Sequence, residues 1–213
     1  MEQEIRRSWF AIDTTLPEID FAGDSHVRFT EELAAIVLRA FSREGDWVLD
    51  PFAGFGTTLR VAQRLGRRAV GFEIDADRAA FANRGLELPN RVIHAAVQTI
   101  ADAELPMFDL VFTSPPYVTV RLEDDPWGES YFVDMLSIFE AKRSRLRPDA
   151  TVVLEVANVH TQDGFRPLAW QWGELLSRLF ILRREIICCN TGDVRAGPGV
   201  DHSHLLVYAA TAR

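Results

Sequence analysis

The sequence predicts an α/β fold: a mainly parallel, Rossmann-like sheet with helices on both faces and a terminal antiparallel hairpin. Three observations predict it. Short apolar runs such as Trp47-Val48-Leu49-Asp50 and Ala69-Val70-Gly71-Phe72-Glu73 alternate with segments of helical period, the rhythm of strands buried on two faces. A glycine-rich turn, Asp50 to Thr58, joins one such strand to a helix, the place where this architecture binds a nucleotide-like ligand. The last two apolar runs have no helix between them, so they are expected to pair antiparallel.

Residues up to about Gly23 show no clear period, and Trp9 to Ile12 reads as either a short strand or a packing anchor. The first strong helix is Thr30 to Ser42. Leu33, Ile36, Val37, Ala40 and Phe41 share one face, Thr30 suits an N-cap, and Glu31 and Glu32 favour the positive end. After the strand at 47–50, a helix from Thr57 to Leu65 is closed by Gly66. The strand Ala69 to Glu73 leads to a helix from about Ala76 to Arg84. Arg91 to His94 and Phe108 to Thr113 are the next strands. A helix is expected over Tyr131 to Leu146, a turn at Pro148-Asp149 and a strand from Thr151 to Val156. Pro167 opens a helix running towards Phe180. Strands around Glu185 to Cys189 and His204 to Ala209 finish the chain.

The 213 residues, 47% of them apolar, suffice for one large domain, and a single domain over 1–213 is expected, with no separate target-recognition domain. Mean hydropathy is −0.03, no apolar run approaches membrane-spanning length, and the N-terminus lacks the apolar core of a signal peptide. The two cysteines, Cys188 and Cys189, are adjacent. In a strand they point to opposite faces. A cytoplasmic location and no membrane contact are expected. The net charge of −8 argues against a broadly basic nucleic-acid coat but leaves room for a local basic groove.

Two motifs carry chemistry. In Asp50 to Thr58, Gly54 and Gly56 let the backbone turn sharply and approach a ligand, and Thr57 opens a helix whose free N–H groups suit an anion. Glu73 ends the next strand, where an acidic side chain binds ribose hydroxyls. The absence of a third glycine, and Asp-Pro-Phe before the first, favour S-adenosylmethionine over a dinucleotide. The second motif is Ser114-Pro115-Pro116-Tyr117. Its prolines remove backbone donors and stiffen the loop. Carbonyl acceptors and the Ser114 hydroxyl remain to take hydrogen bonds from an NH2 group, and Tyr117 offers a flat face for stacking.

Asp50 to Thr58, Gly71-Phe72-Glu73-Ile74-Asp75 and the Ser-Pro-Pro-Tyr loop together resemble the amino-methyltransferases that act on exocyclic nitrogens of DNA bases. His26 to Leu33 is similar to the segment that closes over the methionine end of the cofactor in that family. The resemblance implies a seven-stranded methyltransferase sheet and S-adenosyl-L-methionine as cofactor. It implies cofactor contacts from His26, Phe29, Asp50, Pro51, Phe52, Ala53, Gly54, Gly56, Thr57, Thr58, Glu73, Ile74 and Thr113. It implies catalytic roles for Ser114, Pro115, Pro116 and Tyr117, with no metal. Two departures stand out: Phe55 replaces a small polar residue, and His94-Ala95-Ala96-Val97 stands where an Asp often holds the adenine amino group.

The expected reaction is methyl transfer to a base amino group, DNA cytosine N4 first because Ser114 leads the loop. The base must be flipped out or single-stranded. The order of motifs, cofactor segment before Ser-Pro-Pro-Tyr, is the reverse of that usual in cytosine-N4 enzymes. RNA guanosine or adenosine methylation, and a non-catalytic partner-binding subunit, are the alternatives. Nucleic acid is the expected partner, with a homodimer or partner subunit supplying target recognition. Arg121, Arg195 and the run Lys142, Arg143, Arg145, Arg147 are candidate basic contacts, the run read as a helix end that suits the dipole. Trp127, Trp170 and Trp172 read as packing residues. His202 and His204 share a strand face, and no third ligand completes a metal set.

Overall fold

In the computed structural model, residues 5, 7–22, 28–99, 104–116, 130–161, 164–192 and 201–211 are described. The elements are β1 (Trp9–Ile12), α1 (Glu31–Phe41), β2 (Trp47–Asp50), α2 (Thr57–Arg64), β3 (Arg68–Glu73), α3 (Ala76–Ala82), β4 (Arg91–His94), β5 (Phe108–Thr113), α4 (Tyr131–Ala141), β6 (Leu146–Val156), β7 (Val159–Thr161), β8 (Gly164–Arg166), α5 (Leu168–Leu176), β9 (Ile181–Asn190) and β10 (His202–Ala209). No described helix is long and apolar enough to cross a membrane.

One sheet runs in the order β1-β9-β10-β6-β5-β2-β3-β4. From β6 to β4 every pair is parallel. β10 is antiparallel to both β6 and β9, which is the expected terminal hairpin. The sheet has one strand more than the seven expected. Trp9–Ile12 is a strand, paired parallel with β9 from Trp9↔Ile187 to Ile12↔Asn190.

Alternating side chains of the central strands feed two cores. Leu49, Val111, Val152 and Leu154 pack under α4 and α5. Val48, Leu110, Phe112 and Val153 pack under α1, α2 and α3. Both faces of these strands are therefore apolar, which explains their near-continuous hydrophobic runs. The cap of α1 is as expected: the Thr30 hydroxyl accepts from Leu33 N at 3.3 Å.

The helix expected over Tyr131–Leu146 stops at Ala141, and a 3-10 turn covers Arg143–Arg145. β6 then begins at Leu146, earlier than expected. Phe108 pairs with Leu146 and Leu110 with Thr151, so β6 bulges through Pro148-Asp149 where a turn was expected. The basic run is anchored here and serves the fold. The Arg145 guanidinium donates to the carbonyls of Leu105 and Pro106, Arg147 pairs with Asp109 at 2.9 Å, and Lys142 is buried. The run does sit at a helix end, as expected, with Lys142 the C-cap of α4. β7 and β8 form a small extra hairpin.

Trp172 is fully buried, edge-on to Tyr131, Phe132 and Phe139, and so packs as expected. Trp170 is 66% exposed and does not. Two residues apart on α5, the two side chains face different ways. Trp127 lies outside the described residues. Cys188 is buried and Cys189 half-buried, and both thiols are free. The rings of His202 and His204 lie 5.2 Å apart, as expected for one strand face.

Removing Trp172 empties the junction between α4 and α5. Trp172→Ala is expected to lower unfolding free energy by ~3–5 kcal/mol, measured as a shift in urea midpoint. Trp170→Ala is expected to change it by less than about 0.5 kcal/mol.

Candidate active site

Strand order reverses between β2 and β5. From β2 the chain winds outward through β3 and β4, and from β5 it winds the other way through β6. Such a switch point leaves a crevice beyond the carboxyl ends of the strands. A cavity of about 610 Å³ occupies it, a size suited to a small organic ligand.

One wall is the turn after β2. Gly54 and Gly56 have φ of 51° and 79°, in the left-handed region. A Cβ on Gly56 would meet the Ala82 Cβ at 2.9 Å, whereas Gly54 has open space where its own Cβ would stand. Gly56 is thus needed for packing against α3, and Gly54 for a bare backbone at the cavity. α2 starts at Thr57 with no side-chain cap, so its first N–H groups are open to a ligand.

Asp50 closes β2 and is 2% exposed. Its Oδ1 accepts from the Thr113 hydroxyl at 2.6 Å and from Phe52 N at 3.2 Å. Burial pushes the carboxyl up to about 6, against these hydrogen bonds, which favour its charged form. Glu73 ends β3 at the cavity. Its Oε1 accepts from Asp75 N at 2.9 Å, and Asp75 in turn caps α3 by accepting from Arg78 N.

Of the expected cofactor residues, Phe29, Asp50, Pro51, Phe52, Ala53, Gly54, Thr57, Glu73 and Ile74 line the cavity. Gly56, Thr58 and Thr113 do not form its wall. Thr58 and Thr113 are fully buried behind it, and Thr113 acts on Asp50. His26 and Tyr117 lie outside the described residues, as do Arg121 and Arg195.

Phe55 has a packing reason for its size. It is buried, edge-on to Phe21 and Phe81 at 4.9 and 5.8 Å, with the Arg78 guanidinium over its ring. At the other departure, Ala95 and Ala96 border the cavity with no polar side chain. The next polar side chain on that wall is Gln98, on a 3-10 turn.

The opposite wall is Ser114-Pro115-Pro116. The Tyr131 hydroxyl donates to the Pro116 carbonyl at 2.7 Å, tying the loop to α4. Glu155, Asn190 and Ser203 complete this end. Tyr131 and Glu155 escaped the sequence reading. Glu155 had left a signal, a single acid within the apolar run Val152 to Val156. Tyr131 had left none, since a Tyr in an apolar helix reads as core.

The fold is that of a class of solved structures, the Rossmann-like S-adenosylmethionine-dependent methyltransferases. A TehB-like methyltransferase of this class from Corynebacterium glutamicum superposes with a TM-score of 0.57 over 84% of this chain and 87% of that one, at 16% identity. Residues 18–84 match the family described as DNA methylase. Type II methyltransferase M2.DpnII of Streptococcus pneumoniae is 40% identical over 70 residues, 33% of this chain and 26% of the relative. Type II methyltransferase M.SmaI of Serratia marcescens is 37% identical over 82 residues, 38% of this chain and 27% of the relative. The similarity thus spans about a quarter of the length of these curated relatives.

The raised Asp50 carboxyl makes a signed prediction. Its native ionisation point lies above that of an unfolded Asp, near 3.8, so between about pH 4 and 6 the native state holds a proton the unfolded state has lost. Its contribution to stability is therefore fully present below pH 4 and is lost as pH rises through 6, by on the order of 3 kcal/mol. Urea unfolding of Asp50→Asn should show a stability that gains on wild type across this window. A constant difference would contradict the assignment.

Proposed function

We propose that this chain transfers a methyl group from S-adenosylmethionine to an exocyclic amino nitrogen of a DNA base, cytosine N4 ahead of adenine N6. One observation carries the reading: a single cavity at the switch point has the glycine turn and Glu73 on one wall and the Ser-Pro-Pro loop on the other. The family of residues 18–84 supports DNA as substrate. The preference for cytosine rests on Ser114.

The residues fit this cofactor. The bare backbone at Gly54, the open start of α2 and the carboxylate of Glu73 at the end of β3 match a nucleoside with an anionic tail. Phe29 and Ile74 add apolar wall. When bound, S-adenosylmethionine supplies an electrophilic methyl group.

The loop does the rest. Ser114 and the Pro115 carbonyl accept from the substrate NH2 and aim its lone pair across the cavity. As the amine formed the new N–C bond, the C–S electron pair would stay with sulfur and one amine proton would pass to water. Carbonyl dipoles stabilise the positive charge growing on nitrogen. The Tyr131 hydroxyl holds the loop through Pro116, leaving the Pro115 carbonyl to the substrate. Tyr117 follows directly in sequence and is assigned to stacking the flipped base. Target recognition is assigned to a second copy or a partner subunit.

Labelled S-adenosylmethionine, unmethylated genomic DNA and, separately, total RNA test the reading, with mass spectrometry of the digested nucleosides. N4-methylcytosine in DNA is expected, lost in Tyr117→Ala and Ser114→Ala. N6-methyladenine instead would move the assignment to adenine. Methylated guanosine in RNA alone would overturn DNA. Tyr131→Phe keeps the packed ring and loses the loop contact. Its kcat is expected to fall about tenfold, with stability changed by about 1 kcal/mol, read by steady-state kinetics and urea unfolding.

A further inference from the structure

Two carboxyl groups are buried among the described residues, Asp50 and Glu155. Asp50 belongs to its turn. Glu155 stands near the end of β6 in an otherwise apolar run, where a charged side chain costs several kcal/mol unless partners hold it. It lines the cavity together with Ser114 and Ser203: Thr113, just before Ser114, pairs with Leu154, just before Glu155, Leu205 of β10 pairs with Glu155 itself, and hydrogen bonding from both serine hydroxyls favours the Glu155 carboxylate against its burial. Ser114 lies on the loop after β5 and Ser203 on β10. One carboxyl therefore bridges the Ser-Pro-Pro loop and the terminal hairpin.

Few other charges reach it. Cys188 of β9 is paired in register with Ser203, and burial, then Glu155 itself, pushes its thiol up to about 12, so it stays neutral. Glu32 of α1 acts on Cys188 from a further element. His204 of β10 acts on Glu155 electrostatically, but its ring is bonded elsewhere. Asn158 Oδ1 accepts from Ala169 N at 2.9 Å, so Asn158 Nδ2 donates to His204 Nε2 and His204 Nδ1 donates to Glu185 Oε1 at 2.8 Å.

We propose that Glu155 is a positioning residue for Ser114: its carboxylate takes the one Ser114 hydroxyl proton, so both Ser114 lone pairs face the substrate amine. The inference rests on the amine-methylation reading above. A serine hydroxyl has one proton and two lone pairs. Pointed at the substrate nitrogen, that proton would engage the very lone pair that must attack carbon. Held by Glu155, it leaves Ser114 an acceptor only. Protonated Glu155 would donate to Ser114 and reverse the arrangement. Burial raises the Glu155 carboxyl above its ordinary range, which moves this reversal to higher pH. Activity should be present above the ionisation point of Glu155 and lost as pH falls through it.

Glu155→Gln tests this. The amide preserves size and polarity but cannot ionise. S-adenosylhomocysteine affinity by calorimetry should match wild type, kcat should fall about tenfold to a hundredfold, and the acid limb of the kcat profile should disappear. A variant that keeps the acid limb with an unchanged midpoint overturns the proposal. A second measurement needs no turnover. The 13C carboxyl resonance of Glu155 is titrated in wild type and in Ser114→Ala, where loss of the hydroxyl should raise the ionisation midpoint. An unchanged midpoint overturns the contact even if Glu155 variants do not fold. Wild type that methylates neither DNA nor RNA would fail the amine-methylation reading, while the titration still decides the Ser114–Glu155 contact.

Discussion

A buried hydrogen bond from the Thr113 hydroxyl to Asp50 stands where the two halves of the sheet part. β2 and β5 are neighbours there, paired at Val48↔Leu110 and Leu49↔Val111, and beyond those pairs their chains leave in opposite directions. One carries the glycine turn and the other the Ser-Pro-Pro loop. A reaction between two bound molecules needs both walls fixed to a fraction of an ångström, and this bond joins the last residues of both strands. It is kept despite the burial that works against a charged Asp50. Stability given up locally and retained at a ligand site is a pattern seen at functional centres.

The two walls differ in how they are supported. The turn is held by backbone conformation and by packing: Gly56 against Ala82, and Phe55 in its aromatic group with Phe21 and Phe81. The loop is held by polar side chains from other elements, Tyr131 from α4 and Glu155 from β6. Proline has no backbone N–H, so a Pro-Pro loop cannot anchor itself through donors of its own. Its supports must come from elsewhere in the chain.

That difference explains what the sequence could reveal. Strand and helix positions from Thr30 to Thr113 were legible because their signals are local: buried runs, glycine stops and the Thr30 cap. The glycine turn and Glu73 were legible for the same reason. The strand character of Trp9–Ile12 was not settled, because its partner β9 is distant in sequence. The bulge through Pro148-Asp149 read as a turn, since a local signal for chain reversal also fits a strand that detours and resumes. Periodicity separates faces but does not say what lies opposite, so it could not place Tyr131 on Pro116, show Glu155 meeting Ser114, or tell buried Trp172 from exposed Trp170.

The docking of β1 beside β9 has a consequence for the order of assembly. Trp9 pairs with Ile187, so β1 completes the sheet only after the long stretch of chain between it and β9 has been made. Closing so long a loop costs entropy before any contact repays it. The flank of β9 away from β10 stays open until β1 covers it. An unpaired flank is a template for pairing with other chains. Until that flank is covered, β1 and neighbouring molecules compete for the same place.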